Sequence, residues 1–503
     1  MSAFEDDGGI VLERVRKKRT NGSNGHATAA IFTPNPGTPY TDLGNAERLA
    51  KRFGHELRFC DSRGGWLVWD GMRWKANDAG EAQRRAHLVA RSLYEEAALI
   101  AADAAIEVDA DERKRIQSRA DQCLQHARRT EHASRLSAML DVGRSVLPIA
   151  VGADEVDRDP WLLNAQNGTL DLRTGALREH EPGDLITRVC GTSYDPHATA
   201  PTFERFLAEV QPDAEVRSYL ARLFGYACVG LVREHVLGVC WGHGSNGKSV
   251  LLDTVTHVLG DYAKPGPTSL VVANGFGDPH PTDVASCAGS RLIVVHETKR
   301  GVSFDASKVK LLTGGDRLTA RFMRKDFFTF VPTHTLIMLS NYKPSADGSD
   351  AALWRRVQLC PFDVVIPDDR QDKSLGETIR TSEAPGVLRW LIDGCREWQA
   401  RGLDPPPIVR EQTEAYRLSE DSITEFLEER CVRVPDHRQP AGALFAAYKR
   451  WCEERGTPPG RGNDFAEELV ARGMRRVTSG GRRFYEGVML SPPPDQGEED
   501  RRW

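Results

Sequence analysis

No run of about 18 apolar residues, the length a membrane-crossing helix needs, occurs in the 503-residue chain. A leader is missing too: Met1-Ser2-Ala3-Phe4-Glu5-Asp6-Asp7 is acidic where a signal peptide is basic and then apolar. A soluble, non-secreted protein with no membrane partner is the expectation. The 10 cysteines (Cys60, Cys123, Cys190, Cys228, Cys240, Cys287, Cys360, Cys395, Cys431, Cys452) never stand at Cys-x-x-Cys spacing. That excludes a zinc ribbon or a disulfide framework and predicts reduced core thiols in a cytoplasm. A strong charge of either sign is absent, because 67 Lys and Arg face 72 Asp and Glu for a net of −5. Nucleic-acid binding would therefore have to come from local patches. What remains is ordinary globular composition, 40% hydrophobic and 28% charged, long enough for about three or four domains.

Residues 1–40 are rich in Gly, Asn, Thr and Pro around one basic run, Arg14 to Arg19, and read as a disordered tail; residues 491–503 read likewise. A domain is expected over 41–200. It opens with a short amphipathic helix carrying Leu49, Phe53, Leu57 and Phe59, then an aromatic hairpin, Gly65 to Trp74, turning at Asp70-Gly71. Glu81 to Leu147 has no proline and reads as a helical hairpin or small bundle. Leu162 to Leu172 carries Asn167-Gly168 as a second strand-turn-strand signal. Over 201–370, three short apolar runs (Val236–Trp241, Leu292–His296, Thr335–Ser340) have the character of strands buried on both faces of a parallel sheet. A helical segment is expected over 371–428. A compact unit of two helices and a basic hairpin, suggesting a winged helix, is expected over 429–490.

The sharpest pattern is Gly242-His243-Gly244-Ser245-Asn246-Gly247-Lys248-Ser249, between an apolar strand and the helical spacing of Val250, Leu251, Leu252 and Val255. Strand, glycine-rich loop and helix is the context of a phosphate cradle, where backbone N–H groups and the helix N-terminus face the anion. Lys248 would neutralise the β- and γ-phosphates of ATP, and the Ser249 hydroxyl would ligate Mg²⁺. An acid at a neighbouring strand end is needed for Mg²⁺ and the attacking water. Glu297, after Arg291 to His296, is the choice, although acids also simply cap exposed strand ends. Asn341, after Leu336 to Ser340, is either a partner of the γ-phosphate or water, or a turn former before Pro344. Arg355 and Arg356 have no predicted partner nearby in sequence and also fit a plain surface pair.

These residues resemble the superfamily 3 helicases, in the branch of phage and plasmid primase-helicases and the poxvirus nucleoside triphosphatase-primase. The resemblance rests on Asn246 within the loop, then His296-Glu297-Thr298, Lys310-Leu311-Leu312-Thr313-Gly314-Gly315-Asp316, Leu339-Ser340-Asn341 and Arg355-Arg356, in that order. Asn167 to Leu172 looks like the N-terminal helicase-associated domain, and Ala447 to Cys452 resembles the C-terminal winged region. What it implies is an α/β AAA+-like P-loop core with a parallel sheet, an N-terminal mostly helical α+β domain and a C-terminal winged-helix-like domain. It further implies a ring, commonly a homo-hexamer, in which Arg355 or Arg356, with Arg356 preferred, reaches a neighbour's γ-phosphate. DNA contact would come from the hairpin around Arg321, Arg324, Lys325 and Phe327, or Phe328, with a solvated basic turn as the plainer alternative. Arg475, Arg476, Arg482 and Arg483 could grip duplex backbone. His296 stands where many such helicases have a second acid.

With about forty residues ahead of the first domain, no primase domain is expected, and a separate primase would have to make primers. The implied function is an ATP-dependent DNA helicase of a phage or mobile element in a bacterial cytoplasm. It would act on single-stranded and forked DNA in replication, with 3′ to 5′ polarity. The alternative is an AAA+-type initiator or helicase loader that remodels origin DNA.

Overall fold

The computed structural model describes residues 37–273, 281–297, 299, 302–324, 326–455, 459 and 462–491. The expected tails lie outside these residues except at 37–40 and Ser491. The described chain forms two compact units, one of residues up to Lys51 with Gln83–Gly143, the other of Arg52–Ala82 with Arg144 onward.

In the first unit the proline-free stretch forms helices Glu81–Ile106, Ala110–Thr130 and Ala133–Gly143. Asp109 starts the second of these by accepting the N–H groups of Asp111 and Glu112, donors that a helix start otherwise leaves bare. Leu93, Ala97, Cys123 and Ala127 pack between the helices. Arg48 and Glu96, both nearly buried, pair at 3.7 Å.

The second unit begins with two small antiparallel sheets, Leu57–Cys60, Gly65–Trp69 and Trp74–Ala76, then Leu162–Ala165, Gly168–Asp171 and Ala176–Arg178. The turn at Asp70-Gly71 is held by the Asp70 carboxylate, which accepts from the N–H groups of Met72 and Arg73. Leu57 and Phe59 belong to a strand and not to the opening helix, which ends at Phe53. Pairing with Gly65–Val68 outweighs the helical spacing there.

At the centre lies an all-parallel sheet ordered Val357–Pro361, Leu237–Trp241, Thr335–Ser340, Leu292–Glu297, Ala263–Gly266. Alternate residues feed two cores: Leu237, Val239, Ile293, Val295, Leu336 and Met338 on one face, and Cys240, Leu292, Val294, Ile337 and Leu339 on the other. Burial on both faces explains why these runs are continuously apolar. Over the second face, helix Ala214–Tyr226 crosses helix Ala384–Arg401 through Gly225 and Gly394. A methyl on Gly394 would fall 2.0 Å from the Ala221 carbonyl oxygen, so the backbones meet where only hydrogen fits.

The chain closes with helix Ser422–Arg430, strand Cys431–Pro440, helices Ala441–Arg455 and Gly462–Ala471, and strands Arg475–Ser479 and Arg482–Leu490. Phe426, Tyr448, Trp451, Phe465 and Tyr485 form its aromatic core. The fold here is winged-helix-like. Sequence reading missed the strand Cys431–Pro440, which lacks clean alternation and breaks register between Val434 and Arg438.

Candidate functional site

The C-terminal ends of the parallel strands make one row, since Pro361 pairs with Trp241, Trp241 with Ser340, and Ser340 with Glu297. The glycine-rich loop leaves the sheet at this row and enters helix Lys248–Leu259. Ser245 and Gly247 have left-handed φ of 61° and 79°. At Gly247 a side chain is also excluded by space, because its Cβ would fall 2.5 Å from a Val210 methyl. Gly244, by contrast, faces open space, with nothing within 4 Å of a Cβ placed there. An open cradle at a helix N-terminus fits a polyphosphate.

Lys248 is buried, and its ammonium donates to the carbonyls of Gly242 (2.6 Å) and His243 (3.2 Å) and to Asn246 Oδ1 (2.9 Å). All three are neutral oxygens, and burial pushes the ammonium down to about 8. A charge held this way has solvation to regain from an anion. Asn246 is the residue whose task sequence reading did not see. Its amide nitrogen donates to the Phe362 carbonyl (2.8 Å), just beyond the edge strand, while its oxygen receives Lys248. A side-chain amide offers donor and acceptor on separate atoms at one position. Ser249 is exposed on the first helical turn.

The strand Thr335–Ser340 runs between the loop strand and Leu292–Glu297, so Asn341, half-buried, follows the middle strand of the row. The Glu297 side chain lies outside the described residues, as does Thr298; the Glu297 backbone ends its strand opposite Ser340. His296 is exposed.

Arg355 and Arg356 close the short helix Ala351–Trp354 and differ in their surroundings. Arg356 is half-buried and committed, its Nε donating to Thr313 Oγ1 (3.1 Å) and its Nη1 to the Ala352 carbonyl (2.6 Å). Arg355 is exposed, and its guanidinium pairs with no described residue. Asp350 caps this helix and accepts from Lys310 Nζ at 2.6 Å. Through Lys310 and Thr313, the segment leading to the hairpin is fastened to the helix that carries the arginines.

That hairpin pairs Leu318–Ala320 with Phe328–Phe330. Leu318 and Ala320 are anchored in the core, and Phe328 packs against it, stacked on Phe322 with ring centres 5.6 Å apart. Every described residue of the connection between the strands is exposed. Met323 is 72% and Phe327 58% exposed, and the Arg321 guanidinium lies 4.8 Å over the Phe327 ring. Arg324 is exposed, at φ 59°. Lys325 lies outside the described residues.

On the wing, Arg475, Arg476, Arg482 and Arg483 are all exposed but do not form one patch. Arg475 pairs with Glu486 in the ladder and Arg476 with Tyr485, so adjacent arginines point to opposite faces. Arg475 also has the Glu486 carboxylate 3.6 Å away.

Three family descriptions match parts of the chain: "D5 N terminal like" over residues 46–212, "Family of unknown function (DUF5906)" over 240–356 and "Poxvirus D5 protein-like" over 418–472. "Putative helicase L207/L206" of Acanthamoeba polyphaga mimivirus is 26% identical over 60% of this chain and 34% of its own length. "Putative primase C962R" of African swine fever virus (isolate Warthog/Namibia/Wart80/1980) is 24% identical over 59% of this chain and 34% of its own. The chain thus spans about a third of the length of these relatives. The solved "A form apo structure of NrS-1 C terminal region-CTR" is 12% identical, covering 70% of this chain and 88% of that one, with a TM-score of 0.37, too low to carry an argument. The likeness is to viral helicase-type nucleoside triphosphatases, around a P-loop, AAA+-like core.

These matches correct three expectations. The chain does not lack a D5-type N-terminal region of the primase-helicase kind, since residues 46–212 match one. The matched segment lies after residue 41 and not ahead of it, and its helical composition carries no signature of its own. The separate primase partner inferred from that lack falls with it. The phage setting and bacterial cytoplasm are overturned by relatives from mimivirus and African swine fever virus; ordered motifs identify chemistry, and nothing in them reports a host.

Proposed function

We propose that the protein is an ATP-driven DNA helicase of viral type that works in DNA replication as a ring, most simply a homo-hexamer, on single-stranded and forked DNA with 3′ to 5′ polarity. The observation that carries this reading is the single row of strand ends: the loop holding Lys248, the strand leading to Asn341 and the strand ending in Glu297 stand side by side. In it, the backbone N–H groups of residues 244–249 hold the phosphates, and Lys248, poorly solvated and without a carboxylate among the described residues, turns to the β- and γ-oxygens. Ser249 and Glu297 are the residues that would hold Mg²⁺, which would supply positive charge against the phosphates. Glu297 orients the attacking water and Asn341 bonds it or the γ-phosphate.

Of the two arginines, Arg355 is the one to reach a neighbouring subunit's γ-phosphate, because Arg356 is spent on Thr313 and Ala352. Arg321, Arg324, Lys325 and Phe327 meet the DNA strand, cations along phosphates and the ring against a base. Arg476, Arg482 and Arg483 contribute backbone contacts from the wing, Arg475 less because of Glu486.

Strand displacement on forked DNA carrying either tail polarity, with wild type and Lys248→Ala, tests the reading. ATP-dependent displacement of the 3′-tailed fork, lost in the variant, is expected. Hydrolysis without displacement on either fork would refute unwinding.

A further inference from the structure

A recess of about 410 Å³ lies in the second unit away from the phosphate loop, lined by Arg73, Thr187, Arg188, Asp261 and Lys264 among others. Three cations share it with one carboxylate, and that carboxylate is taken: Asp261 pairs with Arg73 and accepts the Val189 N–H at 3.0 Å. Arg188 donates only to neutral oxygens, the carbonyls of Asp261 (2.7 Å) and Ala288 (3.0 Å). Its Nε is buried without a partner among the described residues. Asp157, a further carboxylate acting on Arg188, is already engaged by Arg63 at 3.4 Å and by the Thr187 N–H and hydroxyl. Burial, and then the Arg188 charge, push the Lys264 ammonium down. Like charges gathered in a hollow repel unless an anion joins them.

The place of the recess in the fold says which anion. Lys264 lies on the edge strand Ala263–Gly266, next to Ala263, which pairs with Leu292 at the starts of the parallel strands. This is the end of the sheet opposite the row that carries the phosphate loop. It is also the hairpin's end: Ala288, which holds Arg188, is two residues from Ser290, whose carbonyl accepts the Thr333 hydroxyl at 2.8 Å. Thr333 follows the hairpin strand Phe328–Phe330 by three residues.

We propose that this recess is a second phosphate site, which holds a backbone phosphate of the nucleic-acid strand engaged by the hairpin. The nucleic-acid source rests on the reading of a DNA-translocating ATPase; the phosphate chemistry does not. Lys264, exposed at the rim, and the half-buried Arg73 supply the outer contacts, and Arg188 is the inner wall.

Binding of a fluorescent single-stranded oligonucleotide to the full chain, titrated over a range of salt, tests it with Lys264→Glu, Lys264→Arg and Arg73→Gln. Several-fold weaker binding and a salt slope shallower by about 0.7 per lost phosphate contact are expected for Lys264→Glu, with Lys264→Arg restoring both. Fluorescent ATP analogue affinity should stay at the wild-type value, since the phosphate loop is at the other end of the sheet. Unchanged oligonucleotide affinity and slope in both Lys264→Glu and Arg73→Gln would overturn the proposal. A second arm measures thermal stabilisation by inorganic tripolyphosphate in a Lys248→Ala background. Stabilisation abolished by Lys264→Glu while oligonucleotide binding persists would overturn the nucleic-acid source in favour of a free polyphosphate. If no form of the chain bound oligonucleotide, the helicase reading would fail, and a Lys264-dependent tripolyphosphate effect would still uphold the phosphate site.

Discussion

The two ends of the parallel sheet handle charge in opposite ways. At the C-terminal end the Lys248 ammonium is enclosed by neutral oxygens from a loop of consecutive residues. At the N-terminal end, cations and aromatic rings reach solvent: Arg321 over Phe327 on the hairpin, and Lys264 at the rim of a recess walled by the half-buried Arg73 and Arg188. An enclosed charge suits a small ligand of fixed geometry, because the protein has already met the cost of orienting it. An open array suits a long polyanion that must be gripped and released, since exposed contacts are individually weak and screened by salt.

The largest test of this contrast is Arg355→Ala. If Arg355 completes a neighbour's enclosed end, ATP hydrolysis should fall about a thousandfold or more, with nucleotide affinity nearly kept. Arg356→Ala should instead lower the melting temperature by loosening Thr313. The reverse pattern would exchange the two roles.

His334, 2% exposed just ahead of the strand Thr335–Ser340, sharpens the contrast at the other end. Burial lowers its ring to about 4 from 6.5. Between those values the unfolded chain binds the proton that the folded chain refuses. Stability therefore falls as pH drops from 6.5 toward 4, by about 3 kcal/mol for this group. Denaturant unfolding at neutral pH and near pH 4.5 reads the loss, and His334→Leu should flatten it. An equal loss in the variant would clear His334.

Phe327→Ala should weaken single-strand binding by about 1–3 kcal/mol, seen by anisotropy. Arg321→Ala should weaken it less, chiefly at low salt. Equal binding would remove the ring from the contact.

The smallest effect concerns Lys248. With its ammonium at about 8 before nucleotide arrives, and phosphates restoring the charge, binding takes up a proton. Nucleotide affinity then declines as pH rises above 8, by at most about tenfold per unit. Calorimetry near pH 8 in buffers of different ionisation heat measures the uptake; a value of zero would show that Lys248 is already charged.

Legibility in the sequence follows the same division. The loop, its helix and the three central strands could be read because the information lies in neighbouring residues: a glycine where φ must be positive, an apolar run where both faces are covered. The two terminal helices and the basic hairpin of the winged unit were equally local. The strand Cys431–Pro440 was not, since it owes its form to its partner Arg482–Leu490. Leu57 and Phe59 misled for the same reason, because a three-stranded sheet overrode their helical spacing. The four wing arginines looked like one patch in sequence, and the pleat divides them between two faces.

By itself the sequence determined the phosphate loop, the strands that carry it and the order of motifs, because backbone preference and burial pattern act over a few residues. Tertiary structure alone decided that Asn246 ties the loop to Phe362, that Arg356 is bound and Arg355 exposed, and that Arg73, Arg188 and Lys264 meet in one hollow. Those outcomes join residues tens to hundreds of positions apart. Such meetings are settled by which strands lie side by side and which cores close, and no local preference encodes them.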